Sequence, residues 1–172
     1  MSLSLHTDRL ELRPLPAAAA KALPGDRATA AGLLGAALAP DWPLPDLLDV
    51  LPSQAAAEAD SERFGVWAIV ESASQTVIGD AGFMGPPGPD RSLEIGFSLV
   101  PDRRRKGYAG EAVRALVPWA LRQPGVSAVD ARCDPANVAS VRVLERAGFS
   151  LIGEEAGKLH WRSDGGDDDD AV

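Results

Sequence analysis

The run "SLEIGFSLVPDRRRKGYAGEAVRAL", Ser92 to Leu116, changes its periodicity at one point, and that change restricts the possible folds more than any other feature of the chain. Leu93, Ile95, Phe97 and Leu99 fall on one face of a strand, while Glu94, Gly96, Ser98 and Val100 fall on the other. Pro101 ends the strand. Ala109, Ala112, Val113, Leu116, Val117, Ala120 and Leu121 then recur at helical spacing, with Pro118 set to kink the helix or deprive one carbonyl of its donor. The segment is therefore strand, loop, helix. Its loop, Arg103 to Gly110, delivers unpaired backbone N–H groups at the positive end of a helix macrodipole, which suits a phosphate. Gly107 and the small Ala109 allow close approach, and Arg103, Arg104, Arg105 and Lys106 add charge, so the loop is expected to hold a pyrophosphate.

The remaining segments supply a sheet for this unit. "LELRPL" (Leu10 to Leu15) alternates as a half-buried strand, and "FGVWAIV" (Phe64 to Val70) and "TVIGDAGF" (Thr76 to Phe83) read as two more. The alanine-rich stretch Ala17 to Ala39 reads as helical with a break at Pro24 and Gly25, and a second helical stretch is expected to end near Asp60. Downstream, "SAVDARC" is a strand, and Val138, Val141, Leu144 and Ala147 recur at helical spacing before Gly148, a C-terminal cap. "FSLIG" and "KLHWR" complete the strands. The expected class is α+β, a sheet with helices on its faces.

A length of 172 residues suits one domain, assigned here to residues 1–162. Five of the eight net negative charges come from Asp164 and Asp167 to Asp170, so residues 163–172 read as an acidic, solvated tail on a body of net charge −3. Such a body is poorly suited to nucleic acid, since four clustered cations are few for a polyphosphate chain. No apolar run approaches the roughly 20 residues a membrane span requires, and "MSLSLHTDRL" lacks the basic and apolar regions of a secretory signal, so a cytoplasmic protein is expected. One cysteine and two distant histidines offer no structural zinc spacing, and no metal is expected. Cys133 reads as a small core hydrophobe rather than an acetyl carrier, and His160 as a satisfied or surface histidine rather than a lining of a cleft.

"LEIGFSLVPDRRRKGYAGEAVRAL" resembles the acetyl-CoA-binding signature of the GNAT superfamily of N-acetyltransferases, its Q/R-x-x-G-x-G/A core met by Arg104, Gly107 and Ala109. "NVASVRVLERAGF" (Asn137 to Phe149) resembles the second family motif. "TDRLELRPL" with "WAIV" and "VIGDAGF" is similar to the RimJ/RimL-like branch that acetylates ribosomal-protein N-termini. The resemblance covers most of Thr7 to Trp161, while Lys21 to Arg63, which in the family forms one wall of the acceptor site, matches poorly. It implies the GNAT fold, a central mixed, mostly antiparallel sheet flanked by helices, and acetyl-CoA as cosubstrate. By the same resemblance, backbone amides of Arg105, Lys106, Gly107, Tyr108, Ala109 and Gly110 grip the pyrophosphate, beside Arg104. The strand end Ser98, Leu99 and Val100 meets the pantetheine arm, with the Leu99 N–H polarising the thioester carbonyl, and Asn137 and Ser140 meet the pantetheine and the sulfur.

Acetylation by direct attack needs a neutral amine, a polarised carbonyl and a proton for the departing thiolate. Glu94 is the candidate base, set on the polar face of its strand; the alternative is a carboxylate that pairs with a neighbouring cation or attracts cationic acceptors. The tyrosine that donates the proton in many relatives is missing, which leaves the Ser140 hydroxyl as candidate donor, or else as a helix-start group bonding backbone. The acceptor is a primary amine, on a peptide N-terminus or a small molecule, and the chain is read as monomer or homodimer. A non-catalytic acyl-CoA-binding module is the rival reading.

Overall fold

The computed structural model describes residues 3–165; of the acidic tail, residues 166–172 lie outside the described residues. The strands are β1 (Leu5–His6), β2 (Leu10–Pro14), β3 (Ala37–Leu38), β4 (Val66–Glu71), β5 (Thr76–Phe83), β6 (Ser92–Leu99), β7 (Ala128–Cys133), β8 (Ser150–Glu155) and β9 (Lys158–Ser163). The helices are α1 (Ala17–Ala22), α2 (Arg27–Leu34), α3 (Pro45–Ala55), α4 (Tyr108–Leu121) and α5 (Val138–Arg146). The strands join one sheet in the order β1-β2-β4-β5-β6-β7-β9-β8, with β3 beside β5. Only β6/β7 and β3/β5 are parallel, so the sheet is mixed and mostly antiparallel, and the class is α+β. Among the described residues no helix is long and apolar enough to cross a membrane.

The alanine-rich stretch is less helical than its composition suggests. It breaks after α1, and Asp26 caps α2 by accepting the Thr29 N–H at 3.1 Å. Gly35, at φ +69°, then ends α2, and Ala37–Leu38 turns into a strand along Thr76–Val77 instead of continuing as helix. The second helical stretch stops at Ala55, short of Asp60, and a 3₁₀ segment, Ala59–Phe64, completes the approach to β4. Pro118 does not end α4, which runs on to Leu121 without an N–H from Pro118 for the Arg114 carbonyl. Past α5, Gly148 at φ +88° donates to Glu145 O and Phe149 to Leu144 O, a Schellman closure.

Each face of the sheet has its own cover. Trp67 and Phe83 point to α4, where Trp119 meets Trp67 edge to face at 5.0 Å between ring centroids and stacks near Phe83 at 6.1 Å. Residues of opposite parity in the same strands, such as Asp80, point to the side where Trp42 and α3 lie. A buried amide fixes α3 there: Gln54 donates from Nε2 to Leu15 O at 2.9 Å and accepts the Val66 N–H at Oε1, 3.2 Å. Gly65 makes room for it, because a Cβ at that position would lie 2.1 Å from Gln54 Oε1.

Replacing Gln54 with Leu would orphan a buried carbonyl and a buried N–H together. The expected cost is roughly 2 to 6 kcal/mol, from about 1 to 3 kcal/mol for each of the two unsatisfied buried groups. Urea unfolding of Gln54→Leu should show that loss with an unchanged m-value, and a variant as stable as the parent would refute the bridging role.

Candidate active site

β6 is paired with β5 from Ile95 to Leu99 and with β7 for only three residues at its start. It follows β5 as far as Gly79↔Leu99, but meets β7 only at Ser92↔Ala128, Leu93↔Val129 and Glu94↔Asp130. Val100 N donates to Ile78 O at 2.9 Å and Met84 N to Glu94 O at 3.2 Å, so the even-numbered residues of β6 spend their backbone groups on β5. The odd-numbered Phe97 and Leu99, beyond the last β7 partner, aim theirs across a gap that β7 has left. Arg104 Nε fills one of these, donating to Leu99 O at 3.0 Å.

The basic loop closes the end of that gap. Arg105 (φ +64°) and Gly107 (φ +83°) are both left-handed with Lys106 between them, a coil of alternating hand that turns successive N–H groups toward one point, and Gly107 is also the N-cap of α4. The four cations divide into two kinds. Arg103 Nε pairs with Glu71 Oε2 at 3.0 Å and Arg104 holds Leu99, whereas Arg105 and Lys106 make no ion pair among the described residues. Glu71 also accepts Ser74 Oγ at 2.6 Å and Tyr108 Oη at 2.8 Å, so the phenol is turned to the sheet end. The Ser74 hydrogen bond, with those from Arg103 and Tyr108, outweighs burial and pulls Glu71 down to about 2. Arg9 lies 4.2 Å over the Tyr108 ring and pairs with Glu111 at 2.8 Å, while Thr7 also bonds Glu111, tying the first turn of α4 to the β1–β2 turn.

Two cavities open beside the gap. One, of about 370 Å³, passes between β6 and β7 and is lined by Asp80, Gly96, Ser98, Cys133, Asn137 and Ser140, among others. Asn137 Oδ1 accepts the Ser140 N–H at 3.1 Å as the cap of α5, and the Ser140 hydroxyl has no hydrogen-bond partner among the described residues. The structure thus brings Ser98, Asn137 and Ser140 together, with Leu99, Val100 and the loop at the gap's end. Glu94 lies elsewhere. It lines the neighbouring cavity of about 390 Å³ with Asp130, Arg132 and His160, and its carboxylate is ion-paired with Arg132. Asp130, almost fully buried, binds His160 Nε2 at 3.0 Å and Arg162 Nε at 2.7 Å; burial raises its pKa, but these bonds outweigh burial and hold it below the ordinary value. His160 is therefore a partnered histidine lining the second cavity, and Cys133 is buried at the wall of the first.

Sequence reasoning passed over Asp80, the only charged residue of β5 and one among apolar neighbours, a signal that was present. Glu71, at the end of β4, carried none. Among the described residues no three His, Cys, Asp or Glu side chains are grouped to hold a metal ion.

A family model described as "Acetyltransferase (GNAT) domain" matches residues 9–150. The uncharacterized N-acetyltransferase YjdG of Bacillus subtilis (strain 168) is 32% identical over 160 residues, 91% of this chain and 95% of the relative. An acetyltransferase from Agrobacterium tumefaciens str. C58 superposes with a TM-score of 0.64 at 27% identity, covering 95% of each chain. RimL, an L7/L12 α-N-protein acetyltransferase solved in complex with coenzyme A, superposes with a TM-score of 0.67 over 94% of this chain and 97% of its own, at 18% identity.

Because Glu71 is held below its unfolded value of 4.5, it contributes stability above that pH, and the contribution fades as pH falls from 4.5 toward about 2. Glu71→Gln should lower the melting temperature at pH 7 and narrow the gap to wild type as pH falls through that window. A constant gap from pH 7 to 2.5 would show that charge at Glu71 does not hold the loop.

Proposed function

The chain belongs to the GNAT acetyltransferase family and is an N-acetyltransferase, and from that premise we propose that it transfers acetyl from acetyl-CoA to a primary amine by direct attack in a ternary complex. The observation that carries this reading is the parting of β6 from β7 directly beside a left-handed, amide-rich loop at the start of α4. A pantetheine arm is a thin chain of amides. It would lie in the gap, bonding the odd-numbered backbone groups of β6 that have no strand partner, and its pyrophosphate would meet the N–H groups of Arg105 to Gly110.

In this reading Arg105 and Lys106 supply the charge for the phosphates, and Arg104 acts at one remove, by fixing the carbonyl of Leu99. The Leu99 N–H polarises the thioester carbonyl. Ser98 and Val100 flank it, and Asn137, already spent on the α5 cap, holds Ser140 so that the unpartnered hydroxyl can hand a proton to the leaving sulfur. Glu94, bound to Arg132, serves the acceptor side of the sheet face. A mildly acidic body favours a cationic acceptor, on a peptide N-terminus or a small molecule. A protein that only stored acyl-CoA would need no second, polar cavity beside the thioester.

Calorimetry with acetyl-CoA tests the loop. Gly107→Val places a branched side chain at φ +83° where the phosphates approach, and should abolish measurable binding. The pair Arg105→Glu with Lys106→Glu should weaken affinity about tenfold or more, from roughly 1.5 to 3 kcal/mol per charged hydrogen bond. Near-parental affinity in Gly107→Val, with an intact circular dichroism spectrum, would remove the loop from the site.

A further inference from the structure

Within the acetyl-transfer reading, on which this inference rests, we propose that Asp80 is the base that takes the amine proton, and that Glu94 binds and orients the acceptor without abstracting it.

Position decides between the two carboxylates. Asp80 stands opposite Ser98 in the β5/β6 register, one residue from Leu99, and lines the same cavity as Asn137 and Ser140. Glu94 lies four residues back along β6, roughly 13 Å at about 3.3 Å per residue, in the neighbouring cavity. Between them lies Gly96, where an added Cβ would meet nothing closer than the Met84 methyl at 4.0 Å, so the strand offers an open floor for an acceptor reaching from one carboxylate to the other.

The carboxylate of Asp80 is also prepared for the task. Both of its hydrogen bonds fall on one oxygen: Trp42 Nε1 donates to Oδ2 at 3.0 Å and Ser98 Oγ to Oδ2 at 3.4 Å. Oδ1 accepts none among the described residues and is the oxygen left for a ligand. Glu94, by contrast, would have to give up Arg132 before it could receive a proton. Asp80 keeps some surface at the cavity but is otherwise enclosed by protein, and burial raises its pKa to about 6 despite the bonds from Trp42 and Ser98, with Asp46 of α3 adding a like charge. Arg132, Asp134 and Lys158 are the other charged groups lining that cavity. A base of this strength is mostly ionised at neutral pH yet still able to hold a proton.

The step balances simply. The amine nitrogen forms a bond to the thioester carbon, its proton passes to Asp80 Oδ1, and the C–S bond breaks with its electron pair on sulfur. Sulfur takes a proton from Ser140 or water, and solvent restores both side chains.

The test uses the full chain with acetyl-CoA and saturating glycinamide or methylamine, amines small enough for any amine site. Asp80→Asn keeps an oxygen for Trp42 and Ser98, and should lower kcat by roughly 10² to 10⁴ with unchanged acetyl-CoA affinity, abolishing the acidic limb near pH 6. Glu94→Gln should raise the acceptor KM and retain kcat and the limb. Trp42→Phe, which removes a bond that favours the carboxylate, should move the limb to higher pH. A limb lost in Glu94→Gln but kept in Asp80→Asn would overturn the assignment. A wild-type protein that binds acetyl-CoA but consumes it with no amine would remove the acetyl-transfer reading and this inference with it.

A readout independent of turnover comes from stability. A folded pKa raised from 3.8 to about 6 means that the carboxylate favours the folded state least above pH 6, where it is charged. Asp80→Asn should therefore melt higher than wild type at pH 8, with the difference vanishing below pH 4. Carbon-13 titration of the aspartate carboxyls, assigned with this variant, should find Asp80 near 6; an ordinary value near 3.8 would also overturn the proposal.

Discussion

The molecule is organised around a pair of strands that separate. A sheet of this size gains from continuous pairing, and leaving the backbone of Phe97 and Leu99, which lie beyond the last β7 partner, without a strand on that side has a cost on the order of a kcal/mol or more per buried group. β6 is held by β5 from Ile95 to Leu99, so it does not follow β7 as that strand leaves toward α5, and the gap stays open instead of collapsing. Arg104, bonded to Leu99 O, settles the last carbonyl and at the same time draws the basic loop against the gap's end. The unpaired edge is thus the reason both for the cleft and for where the loop sits.

The loop illustrates how charge is divided between structure and ligand. Four consecutive cations look alike as letters, yet their partners separate them. Glu71, at the end of β4, gathers Arg103, Tyr108 and Ser74 on one carboxylate, which fixes both ends of the loop. Arg105 and Lys106 are what remains, and they sit at the left-handed turn where the amides converge. Rigid mounting of the backbone matters more than the count of cations, because a phosphate held by N–H groups needs them pre-aimed.

The strand–loop–helix unit was legible in the sequence because its signals are local: a period of two, a proline, a glycine, then a period near 3.6. The same holds for β5, whose bounds match the reading residue for residue, and for the cap at Gly148. Ala37–Leu38 was not legible, since two residues become a strand only through pairing with Thr76–Val77, a contact no local pattern announces. Site residues divide the same way. Asn137 and Ser140 came from the resemblance of a contiguous motif, Asn137 to Phe149, while the tie from Glu71 to Arg103, the bond from Trp42 to Asp80 and the pairing of Glu94 with Arg132 each span more than thirty positions. Long-range pairing decides which carboxylate is available, and composition carries no trace of it.

Glu71 and Asp80, nine positions apart in sequence, show what that pairing accomplishes. Glu71 receives donors from three side chains, Ser74, Arg103 and Tyr108, and it stays ionised down to about pH 2. Asp80 receives two donors on a single oxygen inside an enclosed site, too few to offset burial, and it rises to about 6. The first arrangement stabilises the fold near neutral pH; the second works against it. A costly carboxylate that lines a cavity, with one oxygen unfilled, is what a base held ready for a reaction requires, and this is the role proposed for Asp80. The tryptophan that holds the other oxygen comes from the Lys21 to Arg63 region, where the family pattern is weakest. If Asp80 is the base, as proposed, the segment that supplies Trp42 sets its strength.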